Sequence, residues 1–115
     1  MSVDAVRDCH VAQQAAPRRG YVRIGLDVTL EGTSGREVPA NPFYASLRDA
    51  SGELYAGALS GCDPALPAVR LQRGQKARGH LNFDVLKGAV TLELRYAVPV
   101  VGQPEPEEVR FALRR

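Results

Sequence analysis

Tyr21-Val22-Arg23-Ile24-Gly25-Leu26-Asp27-Val28-Thr29-Leu30-Glu31 carries an aliphatic side chain at every even position from 22 to 30. Tyrosine, glycine and polar residues fill the odd ones. Alternate side chains of an extended chain point to opposite faces, so this stretch reads as one long strand with an apolar face and a wet face. Wound as a helix, the same aliphatic residues would scatter around the cylinder and leave no stripe to bury.

Working outward, the same alternation sets Leu81, Phe83 and Val85 against His80, Asn82 and Asp84. It sets Val90, Leu92, Leu94, Tyr96 and Val98 against Thr91, Glu93, Arg95 and Ala97, and Val109, Phe111 and Leu113 against Arg110, Ala112 and Arg114. Phe43, Ala45 and Leu47 alternate more loosely with Tyr44, Ser46 and Arg48. Residues 2–16 hold Val3, Val6 and Val11 at helix-like offsets, but their β-branching favours a strand. Turn-forming sequences separate these runs: Gly32-Thr33-Ser34-Gly35, Ala50-Ser51-Gly52, Arg73-Gly74-Gln75 and Gly102-Gln103-Pro104-Glu105-Pro106. Seven or eight strands follow, joined by short turns and by two longer loops over residues 13–20 and 59–68. Strands that each bury one face predict an all-β, two-sheet antiparallel sandwich. Phe43, Phe83, Tyr96 and Phe111 are expected to point inward.

A length of 115 residues suits a single domain over residues 1–115. The composition, 44% hydrophobic and 24% charged, is that of a globular chain and not of a disordered one. Fifteen Lys and Arg against thirteen Asp and Glu leave a net charge of +2, too balanced to imply a nucleic-acid or membrane surface. Arg70, Arg73, Lys76 and Arg78 cluster around one turn, but few aromatic residues remain to stack on bases, so no nucleic-acid partner is expected. The opening Met1-Ser2-Val3-Asp4 has neither the basic nor the apolar region of an export signal.

The residues that could carry chemistry are sparse. Nucleophilic catalysis requires a nucleophile, a base and an orienting group that converge. The only histidines are His10 and His80. Cys9 and His10 are adjacent, so in a strand they face opposite ways. His80 and Asp84 share a face but stand about 13 Å apart along an extended chain. The sole methionine is Met1, and the Glu105, Glu107, Glu108 cluster lacks calcium-loop spacing. No catalytic residue, cofactor-binding residue or metal ligand is expected. Gly52, Gly74 and Gly79 are read as structural turn residues.

Phe43, Leu47, Asp49, Gly52 and Tyr55 form an F-x3-L-x-D-x2-G-x2-Y segment, and Leu71, Gly74, Gly79 and Phe83 an L-x2-G-x4-G-x3-F segment. Following the strand at 21–30 and preceding the one at 92–96, they resemble the bacterial exported immunoglobulin-like domains of unknown function. These domains are often carried on lipoproteins and share a fold with the mycobacterial immunoprotective extracellular antigen. The resemblance implies an immunoglobulin-like sandwich in the cell envelope (periplasmic, secreted or lipid-anchored) without an established reaction. A membrane tether would then lie in a segment outside this chain.

Cys9 and Cys62 are either one disulfide or two thiols, and the compartment decides which. They are expected to be joined, tying the long loop over residues 59–68, which has little apolar anchoring of its own, to the leading strand. Two separate thiols would accompany a cytoplasmic location. The function expected is a non-catalytic extracytoplasmic module that binds another protein or a cell-surface component. The alternative is a structural subunit that assembles through edge strands into a shell, fibre or secretion complex.

Overall fold

The structure, a computed structural model, describes residues 1–33 and 35–115; Ser34, in the first of the expected turns, lies outside the described residues. Nine strands follow in chain order: β1 (Ser2–Asp8), β2 (Tyr21–Glu31), β3 (Val38–Ala40), β4 (Ala45–Asp49), β5 (Leu54–Tyr55), β6 (Val69–Leu71), β7 (Lys76–Leu86), β8 (Thr91–Val98) and β9 (Glu107–Arg114). They form a three-stranded sheet in the order β1-β2-β7, a four-stranded sheet in the order β5-β4-β8-β9, and a two-stranded β3-β6 ribbon. Every strand pairing is antiparallel. The result is an all-β sandwich-like arrangement.

Its core follows from the alternation. Ile24, Leu26, Val28 and Leu30 of β2 stand beside Phe83, Leu81, Gly79 and Ala77 of β7. They face Ala45 and Leu47 of β4 and Leu92, Leu94 and Tyr96 of β8 in one continuous buried cluster. Val22 and Val85 extend the same row toward the β7–β8 turn.

Three expectations are corrected. Phe43 does not point inward. Asn41 caps a 3-10 turn at Pro42–Tyr44 by accepting the Phe43 N–H at 2.9 Å. That turn replaces the first residues of the expected strand, and Phe43 is left 82% exposed. The odd face of β2 is not wet: Arg23 and Asp27 are buried. The loops that follow β1 and precede β6 fold back over that face, and its charges are satisfied there by partners instead of water. Arg23 forms a two-pronged ion pair with its cross-strand neighbour Asp84 and donates to the carbonyls of Ser60 and Ala15 at 2.9 and 3.0 Å. Arg78 grips Asp27 through Nε and Nη2 at 3.1 and 2.9 Å.

The third correction is Gly79. Gly52 and Gly74 occupy turns with φ of 90° and 82°, where a side chain would be strained. Gly79 instead lies inside β7 opposite Val28. It is required for close approach: the backbone of Leu66 runs so near that an added Cβ would stand 2.6 Å from its N and Cα atoms. The loop over 59–68 is therefore not without apolar anchoring, because Leu66 is buried in the core. It follows β7 through the hydrogen bonds His80 N to Pro64 O and Leu66 N to His80 O.

The Phe43–Tyr55 segment owes its polar residues to one turn. The Asp49 carboxylate accepts the Ser51 hydroxyl at 2.6 Å, the Ser51 and Glu53 amides at 2.9 and 3.1 Å, and the Tyr55 hydroxyl at 2.6 Å. The Ser51 and Tyr55 hydroxyls do most to hold Asp49 below the usual carboxylate range. Burial first, then the bond to Asp49, pushes the Tyr55 phenol up to about 12.

Two expected outcomes follow from these contacts. Gly79→Ala should destabilise the domain by about 1–3 kcal/mol in urea unfolding, through overpacking against Leu66. Gly88→Ala should change stability by less than about 0.5 kcal/mol, since nothing lies within 4 Å of a Cβ there. The Tyr55 phenol is raised in the folded state, so its contribution is complete below pH 10 and is lost as pH rises toward about 12. Asp49 has a lowered value, so its contribution is present above pH 3.8 and is lost as pH falls through the folded value. Tyr55→Phe should therefore remove the highest step from the absorbance titration at 295 nm and shift acid unfolding to higher pH.

Candidate functional site

The outer face of β1-β2-β7 is organised around a disulfide. Cys9 directly follows β1 and continues its ladder, donating its N–H to Arg23 O at 3.0 Å. Cys62 lies in the loop crossing the same face, and the two are joined with their Cα atoms 5.0 Å apart. Beneath the sulfurs lies the cross-strand pair Gly25 and Asn82. Gly25 leaves room for the bridge; a Cβ there would stand 2.8 Å from Cys62 Sγ and 2.9 Å from Cys9 Sγ. Asn82 fixes the loop, its Oδ1 accepting the Cys62 N–H at 3.0 Å and its Nδ2 donating to Cys62 O at 3.4 Å.

Beside this clasp, where the loop leaves β5 and returns along β7, the two layers part into a groove of about 470 Å3. Leu81 and Phe83 reach it from the core, and the small residues Ala45, Ala56, Gly57, Ala58 and Ala65 leave the space open. Phe43 and Leu59, the latter 92% exposed, also line it. An exposed phenylalanine and leucine on one concavity are the kind of surface that proteins keep for partners. Backbone bonds hold one wall in place, with Ala58 N donating to Asn82 O at 2.7 Å.

The polar groups of the groove are Ser46, His80 and Asn82. The alternation puts His80 on a wet face, but the returning loop covers it. Its Nδ1 lies 2.9 Å from Pro64 O; a carbonyl can only accept, so Nδ1 carries the proton. Nε2 is shut off from solvent and has no hydrogen-bond partner among the described residues. Asp27, its cross-strand neighbour, is engaged by Arg78 and, at 3.5 Å, by Arg7, and Arg78 is the chief reason its carboxyl is held low. The carboxylate next to the only histidine of the groove is thus committed to arginine. Among the described residues, no group of three or more His, Cys, Asp and Glu is placed to hold a metal ion.

Neither a family model nor a curated protein matches the sequence. Among solved structures, the chain is similar to a candidate lipoprotein (ycdA) from Bacillus subtilis subsp. subtilis str. 168. The TM-score is 0.79 and the identity 16%, over 97% of this chain and 35% of that one. It is also similar to a functionally unknown protein from Listeria monocytogenes EGD-e, with a TM-score of 0.59 and 17% identity over 82% of this chain and 60% of that one. The likeness is one of fold. This chain spans about a third of the length of the Bacillus protein.

Sequence reasoning missed the groove because it placed Phe43 in the core. Pro42 beside Asn41, a pair that favours a turn, was the available signal. The disulfide closes a separation of 53 residues, which in the chain-entropy picture is worth about 4 kcal/mol and in practice about 2–4. Reductant should lower the melting temperature by roughly 10 °C. Denatured but unreduced protein should take up no maleimide; uptake of two labels per chain would show that the bridge is absent.

Proposed function

We propose that this domain is a non-catalytic interaction module of the bacterial cell envelope, working outside the cytoplasm. The groove lined by Phe43 and Leu59 receives an apolar side chain of another protein or of a cell-surface component. The observation that carries this reading is the exposure of those two residues on a concavity whose wall is tied to β7 and, through Cys62, to the end of β1. A preformed wall spares a partner the cost of ordering a loop. Three further features support the reading. The disulfide suits an oxidising compartment. The Phe43–Tyr55 and Leu71–Phe83 segments resemble exported immunoglobulin-like domains. A structure of similar fold is that of a candidate lipoprotein. The engagement of Asp27 by arginine and of His80 by a carbonyl supports a role without catalysis.

A random peptide library displayed on phage and panned against the oxidised domain tests this. Enriched peptides should share an aromatic or aliphatic anchor. Phe43→Ser and Leu59→Ser should each weaken their binding by roughly tenfold or more while leaving the melting temperature unchanged. Failure to enrich any peptide, or binding indifferent to both substitutions, would overturn the proposal.

A further inference from the structure

β9 is an open edge. It pairs with β8 along its whole length, from Thr91 opposite Arg114 to Val98 opposite Glu107, without a break in register. It ends the four-stranded sheet, with no strand on its other side among the described residues. Long regular edges are templates for further pairing, and proteins usually blunt them with shortness, proline, charged side chains (lysine above all), bulges or covering loops. The other edges of the two larger sheets are blunted. β1 has a register shift between Val3 and Ala5, β5 is two residues long, and the returning loop bonds to β7. The eight residues of β9, Glu-Glu-Val-Arg-Phe-Ala-Leu-Arg, contain no proline, lysine or bulge, and their charges, Glu107, Glu108, Arg110 and Arg114, are of both signs, so a second copy can complement them.

The ladder shows which backbone groups are free. Arg115 N donates to Val90 O at 2.8 Å, so Arg115 and Val90 face each other as a hydrogen-bonded pair. By alternation Leu113, Phe111, Val109 and Glu107 also bond to β8, and the N–H and C=O groups of Glu108, Arg110, Ala112 and Arg114 point away from the sheet. The inner side of the edge is unfinished as well. Phe111 and Leu113 are only partly buried against the core, and Val109 is 39% exposed.

We propose that two copies of this chain pair antiparallel through β9, with Phe111 facing Phe111 of the second copy on the two-fold axis. In this register Glu108 stands opposite Arg114 of the second copy and Arg110 opposite Ala112. All four outward-pointing residues then bond, and both Glu108–Arg114 pairs are attractive. Val109 meets Leu113 on the apolar side, extending the core across the junction. Charge selects this register over its neighbours. A shift one way sets Arg110 against Arg110, and a shift the other way sets Arg110 against Arg114; like charges directly opposite disfavour both. Glu108 is held ionised, chiefly by Arg95, and pairs with Arg110 at 3.1 Å, while Arg114 is exposed and forms no salt bridge among the described residues, so it is the free cation at the edge. Such an isologous contact is closed, so the assembly ends at two copies.

Size-exclusion chromatography with light scattering over a wide concentration series should give twice the mass of the chain at the upper end. Arg114→Glu removes the attraction. Ala112→Pro removes an outward N–H without touching the β8 ladder. Both should be monomeric with folded spectra, while Arg73→Glu, the same charge reversal in an exposed turn, should remain dimeric. The register is read by oxidising two single-cysteine-addition variants, Arg110→Cys and Ala112→Cys, separately and mixed. Cross-linking should occur only in the mixture. A wild-type monomer at every concentration, an assembly larger than two, a dimer surviving in both edge variants, or a cross-link in either cysteine variant alone would overturn the proposal.

Discussion

The disulfide and its seat set the terms for one whole layer. A bridge can lie flat against a strand only where a residue without a side chain leaves room, and Gly25 does so in the middle of the most buried strand. Asn82, across from it, bonds both backbone groups of Cys62. With the loop held there, the outer face of β2 becomes an interior. Arg23 and Asp27 must then find ionic partners, because a buried charge without one is strongly unfavourable. Asp84 and Arg78, on the adjacent strand, supply them.

The same clasp shapes the groove. The loop that carries Cys62 also supplies Leu59, and its return along β7 buries Leu66 and covers His80. The wall of the concavity is therefore fixed by a covalent tie, by backbone bonds and by one core leucine together. The opposite side rests on the capped turn at Pro42–Tyr44. The exposed Phe43 and Leu59 are displayed from two braced supports.

Period two made the long strands legible. β2 runs over the stretch the alternation marks, β8 and β9 differ from it only at their ends, and β7 begins four residues before the marked stretch, at Lys76. The alternation could not say what covers the polar face of a strand, since Arg and Asp look the same whether water or an ion-pair partner meets them. That is why the alternation alone puts Arg23 and Asp27 in water. Nor could it separate β3, β5 and β6, whose two or three residues carry no period. Gly79 shows a different limit: a glycine within a strand and a glycine in a turn are alike in sequence, and only the approach of Leu66 distinguishes them. The groove was least visible, because it depends on one aromatic residue turning outward and on two segments distant in sequence meeting.

The pairing of β2 with β7 also sets the pace at which the chain can fold. Everything from Gly32 to Gln75 lies between them, so their ladder must close a long loop before any of its bonds form. The β4–β5 and β8–β9 hairpins face no such delay, being neighbours in sequence. Domains dominated by non-local pairing are slow folders, and here each layer joins a local hairpin, β1–β2 or β8–β9, through one long-range pairing, β2–β7 or β4–β8. Hairpins offer early, short-range structure in both layers, and the layer containing the most deeply buried strand is completed by the strand pairing of longest range, which sets Tyr21 opposite Leu86.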